Sequence, residues 1–332
     1  MKNNRLTLVL LLSIPIFSLV ACSSSEGAAA SIASPTNIEM PFIEKTEILV
    51  EEIVETPVPT QEPSDEQTQE IEKEEVIEAN TPTTLPTHVG EAYLALPDAS
   101  NWENWPELPV LSEEAIAIYR DGIAKGTDPH AISIFGDCQS LPDAFWGRYD
   151  DPDYVLSEEE LQYQSSIDWF SGSFDRESVT VKKGTTAAAI LWVGWLDGEK
   201  HDCEYGETPL ACELRLHNPS IVIISVGTHW ELRNGQYLRK MLDELLAQGV
   251  LPVISTKADH REGEAWVNQE MVTIAQEYEL PVWNFWVAVQ PLENNGMIED
   301  DAMYMNDSGL DMQRISGLKV LDTMLTQLHG EE

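Results

Sequence analysis

Between residues 131 and 285, short apolar runs alternate with longer stretches in which apolar residues recur every three or four positions. Five runs have strand character: AISIFG (Ala131–Gly136), SVTVKK (Ser178–Lys183), SIVIISVG (Ser220–Gly227), VLPVIST (Val250–Thr256) and LPVWNF (Leu280–Phe285). Their length and their Val and Ile content fit buried strands. GQYLRKMLDELLAQG has helix spacing at Leu238, Met241, Leu242, Leu245 and Leu246, and it ends at Gly249, which suits a C-cap. EAWVNQEMVTIAQEYE predicts a second helix and QRISGLKVLDTMLTQL the last. Strands apolar on both faces, alternating with helices, predict a parallel sheet covered on both sides. Right-handed crossovers then make it a three-layer αβα doubly wound domain of about five strands. Ligands of such sheets lie beyond the carboxyl ends of the strands, where strand order reverses. GDCQS, GTTAAA, GTHWE and TKADHRE, which leave the first four strands, are therefore expected to converge.

The N-terminus has another pattern. Lys2 and Arg5 precede an apolar run from Leu6 to Val20 that stops at LVAC, Leu19 to Cys22. This is the arrangement of a secretory signal, too short for a typical span. LVAC resembles the bacterial lipoprotein box, which implies residues 1–22 as a signal peptide and Cys22 as a lipidated N-terminus. Residues 23–89 are poor in aromatics and rich in Glu, Thr, Pro and Ser, with 15 acidic residues against two lysines. Such a segment buries too little apolar surface to offset its chain entropy, so it is expected to be a disordered acidic tether. Residues 90–332 then form one folded domain held outside the cytoplasm, at a bacterial cell envelope, by a lipid anchor in the membrane.

Charge and cysteines narrow the chemistry. The formal net charge is −39, and about −28 of it falls on residues 90–332. This argues against nucleic acid as a partner, because phosphate binding depends on clustered Lys and Arg. Three cysteines follow Cys22. In an oxidising exterior Cys203 and Cys212, in CEYGETPLAC, are close enough to close a disulfide loop, which leaves Cys138 over.

The turns after the strands, taken in order, resemble the SGNH (GDSL-type) hydrolases from about Ala131 to Leu328. In that family the first strand ends in Gly-Asp-Ser, whose serine is the nucleophile. Here Gly136 and Asp137 match, and Cys138 stands at the serine position. A glycine after the second strand, matched by Gly184, supplies an oxyanion-hole N–H. The third block, Gly-x-Asn-Asp, keeps Gly227 but has His229 for the asparagine. The last block, Asp-x-x-His before the final helix, is aligned with Ser308 and Asp311 of SGLD. The resemblance implies a flavodoxin-like sheet and an ancestral activity on ester or acetyl-ester substrates such as lipids, glycans or small esters.

Chemically the inherited triad is broken. An aspartate at 311 replaces the base and would repel the thiolate it should create, while Ser308 cannot orient an imidazole as a carboxylate does. Three readings stay open. The domain keeps the fold and cleft and binds a ligand, a glycan or small ester, or holds a partner; it is a thiol hydrolase using Cys138 with His229, or less directly His260, as base; or Cys138, His229 and Asp311, near Asp137, gather a metal. No sequence spacing asks for a metal or cofactor, and none is assigned. The bland roles are a buried Cys138, a strand-end His229 and Asp311 as the N-cap of the last helix. Lys257, Asp259 and His260 belong to the rim of the cleft, and Trp146, Trp192 and Trp230 follow three of the turns. Most of the tryptophans are expected in the core.

Overall fold

The computed structural model describes residues 92–197, 200–230, 233–259, 265–299 and 301–329. The signal peptide with Cys22, the tether and His260 lie outside them. Among the described residues no helix is long and apolar enough to cross a membrane.

Helix α1 (Glu113–Lys125) starts where the Ser112 hydroxyl accepts from Ala115 N, carries Glu113 and Glu114 in its first turn, and stops at Gly126 with φ 102°. Those are the cap and dipole choices of a stable short helix. Strand β1 (Asp128–Gly136) follows, then α2 (Gln164–Trp169), α3 (Ala187–Ile190) and α4 (Pro209–His217). The alternation continues through β2 (Pro219–Ser225), α5 (Asn234–Ala247), β3 (Leu251–Ser255), α6 (Trp266–Glu277), β4 (Val282–Trp283) and α7 (Phe285–Val289). A two-stranded antiparallel ribbon, β5 (Met297–Ile298) with β6 (Asp301–Met305), leads into the long α8 (Asp307–His329).

The main sheet is parallel, in the order β1-β2-β3-β4, with Phe135 opposite Ile224, Ile223 opposite Val253 and Ile254 opposite Val282. Every residue of β3, and all of β2 but Ser225, is buried, so both faces of the sheet are covered. Helices α3 to α6 pack in succession over one face, while α1, α2, α7 and α8 form the other layer. The expected three-layer α/β class is found. Where α1 passes the end of α5, Gly122 and Gly249 meet backbone to backbone, and a methyl on Gly122 would run into the Gly249 carbonyl.

Among the described residues the sheet has four strands, where about five were expected. The expected second strand, 178–183, runs beside β1 without joining its ladder. Its groups are taken by side chains instead: Val179 N donates to Glu213 Oε2 (2.7 Å), Thr180 N to Ser178 Oγ (3.2 Å), and Thr180 Oγ1 to the Ile134 carbonyl (3.0 Å). Ser and Thr hydroxyls and a buried carboxylate thus compete with sheet pairing. The strand order therefore follows the chain, with β1 at one edge of the sheet and β4 at the other.

The last helix begins at Asp307, about six residues earlier than expected, because Asn306 Oδ1 accepts from Gly309 N (3.0 Å). Asp311 is therefore not its N-cap. Cys203 and Cys212 are joined in a disulfide that ties the loop before α4 to that helix.

Candidate functional site

At the carboxyl ends of β1, β2 and β3 the chain encloses a small polar cleft of about 30 Å³, lined among others by Asp137, Thr228, Lys257, Asp259, Met305 and Gln313. Each side chain is placed by its own turn. Asp137 caps the 3-10 turn Cys138–Ser140, its Oδ1 accepting from Gln139 N (3.0 Å). Gly227, at φ 139°, lets the chain leave β2 in a conformation open to glycine and brings its backbone against the Lys257 stem and Met271. Lys257 is fixed through its backbone, since its N–H donates to Asn268 Oδ1 and its carbonyl accepts from Asn268 Nδ2, each at 2.9 Å.

The polar groups are linked. Thr228 Oγ1 donates to Asp259 Oδ2 and Lys257 Nζ donates to Asp259 Oδ1, both at 3.0 Å, with all three residues buried. Burial pushes the Asp137 carboxyl upward; the Gln139 N–H, the positive charge of His229 and the Thr228 hydroxyl pull it back, and the Asp259 charge adds to the rise. Two acids, one ammonium and a shared hydroxyl thus form one network across three strand ends. Gln313, 3% exposed, turns a carboxamide oxygen without a hydrogen-bond partner into this cleft.

The residues singled out from sequence divide into those brought here and those left elsewhere. Asp137, Lys257 and Asp259 line the cleft, and Cys138 is buried in the turn beside it as a thiol. His229 follows Thr228, half-buried, with its carbonyl accepting from Asn234 Nδ2 (3.2 Å). Gly184 (φ 82°) sits in the turn after the 178–183 segment, outside the lining.

Ser308 and Asp311 do not converge with the cleft. Both ride on the first turns of α8 and line a separate groove with Arg148 and Tyr154, where Asp311 pairs with Arg314 at 2.6 Å. The metal reading thereby loses Asp311. The segment that does reach the first turn is β6: Gln139 Nε2 donates to the Met303 carbonyl (3.3 Å), and Met305 N donates to Gln139 Oε1 (3.1 Å). In β6, Asp301 and Tyr304 stand three apart just before the last helix, the spacing expected of an Asp-x-x-His block. Gln139, Thr228 and Gln313 were not singled out from sequence. The first two adjoin residues that were, inside GDCQS and GTHWE. No signal marked Gln313.

No protein-family model matches the chain, and no curated protein matches it. Among solved structures it is similar to the psychrotrophic esterase EstA from Pseudoalteromonas sp., at 14% identity and TM-score 0.41 over 60% of this chain and 100% of that one. It is also similar to a putative lipolytic protein of the G-D-S-L family from Desulfitobacterium hafniense (13% identity, 57% of this chain and 98% of that one, TM-score 0.39). A GDSL-like lipase from Bacteroides thetaiotaomicron matches at 13% identity, with 65% of this chain and 99% of that one covered and a TM-score of 0.39. The class of the protein, a parallel three-layer α/β domain with its polar cleft at the carboxyl ends of the strands, stands on its own sheet order, register and strand-end residues.

Proposed function

We propose that the chain is a lipid-anchored protein of the bacterial cell envelope whose SGNH-hydrolase-like domain binds a ligand or holds a partner rather than cleaving esters by the serine mechanism. The observation that carries this is what β6 brings to the first turn. Two main-chain groups of β6 hold the Gln139 side chain, and Met305 enters the cleft lining. Base and orienting carboxylate would have to come from this segment, and its matching positions hold Asp301 and Tyr304. A phenol is a poorer general base than an imidazole at neutral pH. Cys138 stands at the position the resemblance gives to the nucleophile but is only 7% exposed, and the cleft beside it is small, about 30 Å³. The acidic tether and Cys22 would hold the domain at a distance from the membrane.

A second reading has one observation behind it. Cys138 lies in the turn after β1 and His229 in the turn after the neighbouring β2, so a thiol and an imidazole share this end of the sheet. A Cys–His pair is chemically competent. Hydrolysis of p-nitrophenyl acetate and butyrate across pH, by the parent and by Cys138→Ala, Cys138→Ser and His229→Ala, decides between them. Turnover equal to that of the folded Ala variants is the expected result; turnover lost in both Cys138→Ala and His229→Ala would overturn the binding role in favour of a thiol hydrolase.

A further inference from the structure

A larger concavity lies away from the strand-end cleft, between the 148–160 segment and the start of α8. It has a volume of about 460 Å³, within the range of small-molecule sites. Its charges are unequally committed. Glu160 is buried and held by Tyr149 Oη (3.0 Å), Tyr154 Oη (2.9 Å) and Ser157 N (2.7 Å). Asp311 pairs with Arg314, and Glu159 lies 3.6 Å from Lys319. Arg314 is further anchored, donating to the Phe145 carbonyl (3.0 Å) and the Ala144 carbonyl (2.7 Å).

Arg148 is the exception. Its guanidinium stands 5.3 Å from the centre of the Tyr154 ring and reaches Tyr154 Oη at 3.4 Å, and no carboxylate of the described residues pairs with it. In a chain with 58 acidic residues against 19 Lys and Arg, an arginine without a carboxylate needs a reason. Held against a tyrosine face, a guanidinium keeps most of its planar fork of donors for a bidentate acceptor.

We propose that this groove binds a hydroxylated monocarboxylate, the chemistry of an acidic sugar unit, with its carboxylate on Arg148. The charge of the acceptor follows from the rim. Glu159 and Asp311 are 59% and 69% exposed at the same groove and would repel a phosphate dianion more strongly than a single carboxylate. The same carboxylate oxygens, with the exposed hydroxyls of Ser157 and Ser308, suit a ligand that offers several O–H donors. The site supplies a ligand class for the binding role proposed above, yet it shares no residue with the ester test, since Cys138 and His229 are absent from this groove. Detectable ester turnover would revise that role and leave the groove intact.

The test is calorimetric titration of the full chain with D-glucuronate, its methyl ester and D-glucose, with tetragalacturonate as the chain-borne form of the same unit. Saturable binding of glucuronate or tetragalacturonate is expected, weakened about tenfold or more by Arg148→Ala, in keeping with a charged hydrogen-bond pair. The methyl ester and glucose should bind at least that much more weakly, and equimolar phosphate should not displace the ligand. Among the described residues Arg148 makes its side-chain hydrogen bond and its ring contact with Tyr154 at the groove, so the variant is expected to fold, which circular dichroism checks. Arg148→Lys, which keeps charge but loses the fork, should fall between parent and Ala. Absence of binding by both acidic probes, equal binding of glucose, displacement by phosphate, or affinity unchanged in Arg148→Ala would each overturn the assignment.

Discussion

Lys257 holds Asp259 across 3.0 Å with both side chains at most 7% exposed, two residues apart on the loop that leaves β3. Thr228 adds its hydroxyl from the loop after β2, so one carboxylate joins two strand ends. A buried pair of this kind adds little over apolar packing while intact, but removing one partner strands the other charge. Lys257→Met should therefore lower unfolding free energy by about 3–5 kcal/mol in urea denaturation. Lys257→Met with Asp259→Leu should recover a large part of that loss; a double variant as unstable as the sum of the two singles would show that the pair is not the coupled unit described.

Asp137 gives the cleft a pH signature. Burial raises its carboxyl above the unfolded value of about 3.9, so the native state holds its proton more tightly than the unfolded chain does. Its contribution is fully present below about pH 4 and is lost as pH rises through the folded value. Asp137→Asn removes that titration while its amide oxygen can still accept from Gln139 N. Stability of the variant should decline less than that of the parent on going upward from pH 4, and at neutral pH the variant should equal or exceed the parent. A parallel pair of stability curves would place the Asp137 pKa at its ordinary value.

The alternation of apolar runs was enough to reveal the layered sheet, because β2 and β3 are buried on both faces and could be nothing else. It misjudged 178–183, where Ser178 and Thr180 look like strand residues but spend their hydroxyls on each other and on the Ile134 carbonyl, and where Glu213, 80 residues from its other partner Ser133, takes the Val179 N–H. That competition depends on tertiary neighbours and leaves no periodic trace. The turns after β1, β2 and β3 were legible as strand ends. The last block was not, since Asn306 starts α8 before any helical period shows, which moved Ser308 and Asp311 onto a helix and left β6 at the cleft. Arg148 and Gln313 look like any surface arginine and helical glutamine until their partners, or lack of them, are seen.

His217 offers an independent check on the α4 side of the sheet. Burial, then the Arg176 and His201 charges, lower its pKa to about 4. Glu213 Oε2 lies 3.8 Å from the ring, which by itself would raise the value. That carboxylate is already engaged by Ser133 Oγ (2.6 Å), Val179 N (2.7 Å) and Arg176 (3.6 Å), so little of its charge is left to hold an imidazolium. The lowered value fits the geometry better. Imidazole signals of His217 should stay those of the neutral ring down to about pH 5 and titrate near 4. A neutral ring in the native state binds fewer protons than the unfolded histidine, so its stabilisation is present above about pH 6.5 and is lost as pH falls toward the folded value. Titration at 6 or above would mean that Glu213 does bind the ring as an ion pair.

The Cys203–Cys212 disulfide closes a loop of nine residues' separation and anchors an exposed segment, in which Tyr205 is fully exposed, to the buried Cys212 of α4. Its effect should come from restricting the unfolded chain. For a loop of this length, chain entropy gives about 2.5–3 kcal/mol. Cys203→Ser with Cys212→Ser should lose about that much unfolding free energy, and Cys203→Ser alone somewhat less, because it leaves a small thiol rather than a hydroxyl at the position buried in α4. Since neither Cys203 nor Cys212 lines the cleft or the Arg148 groove, glucuronate affinity at a temperature where the variant is folded should stay within about twofold of the parent. Loss of affinity in step with the lost stability would mean that the groove opens with the α4 region, and would tie the two into one cooperative unit.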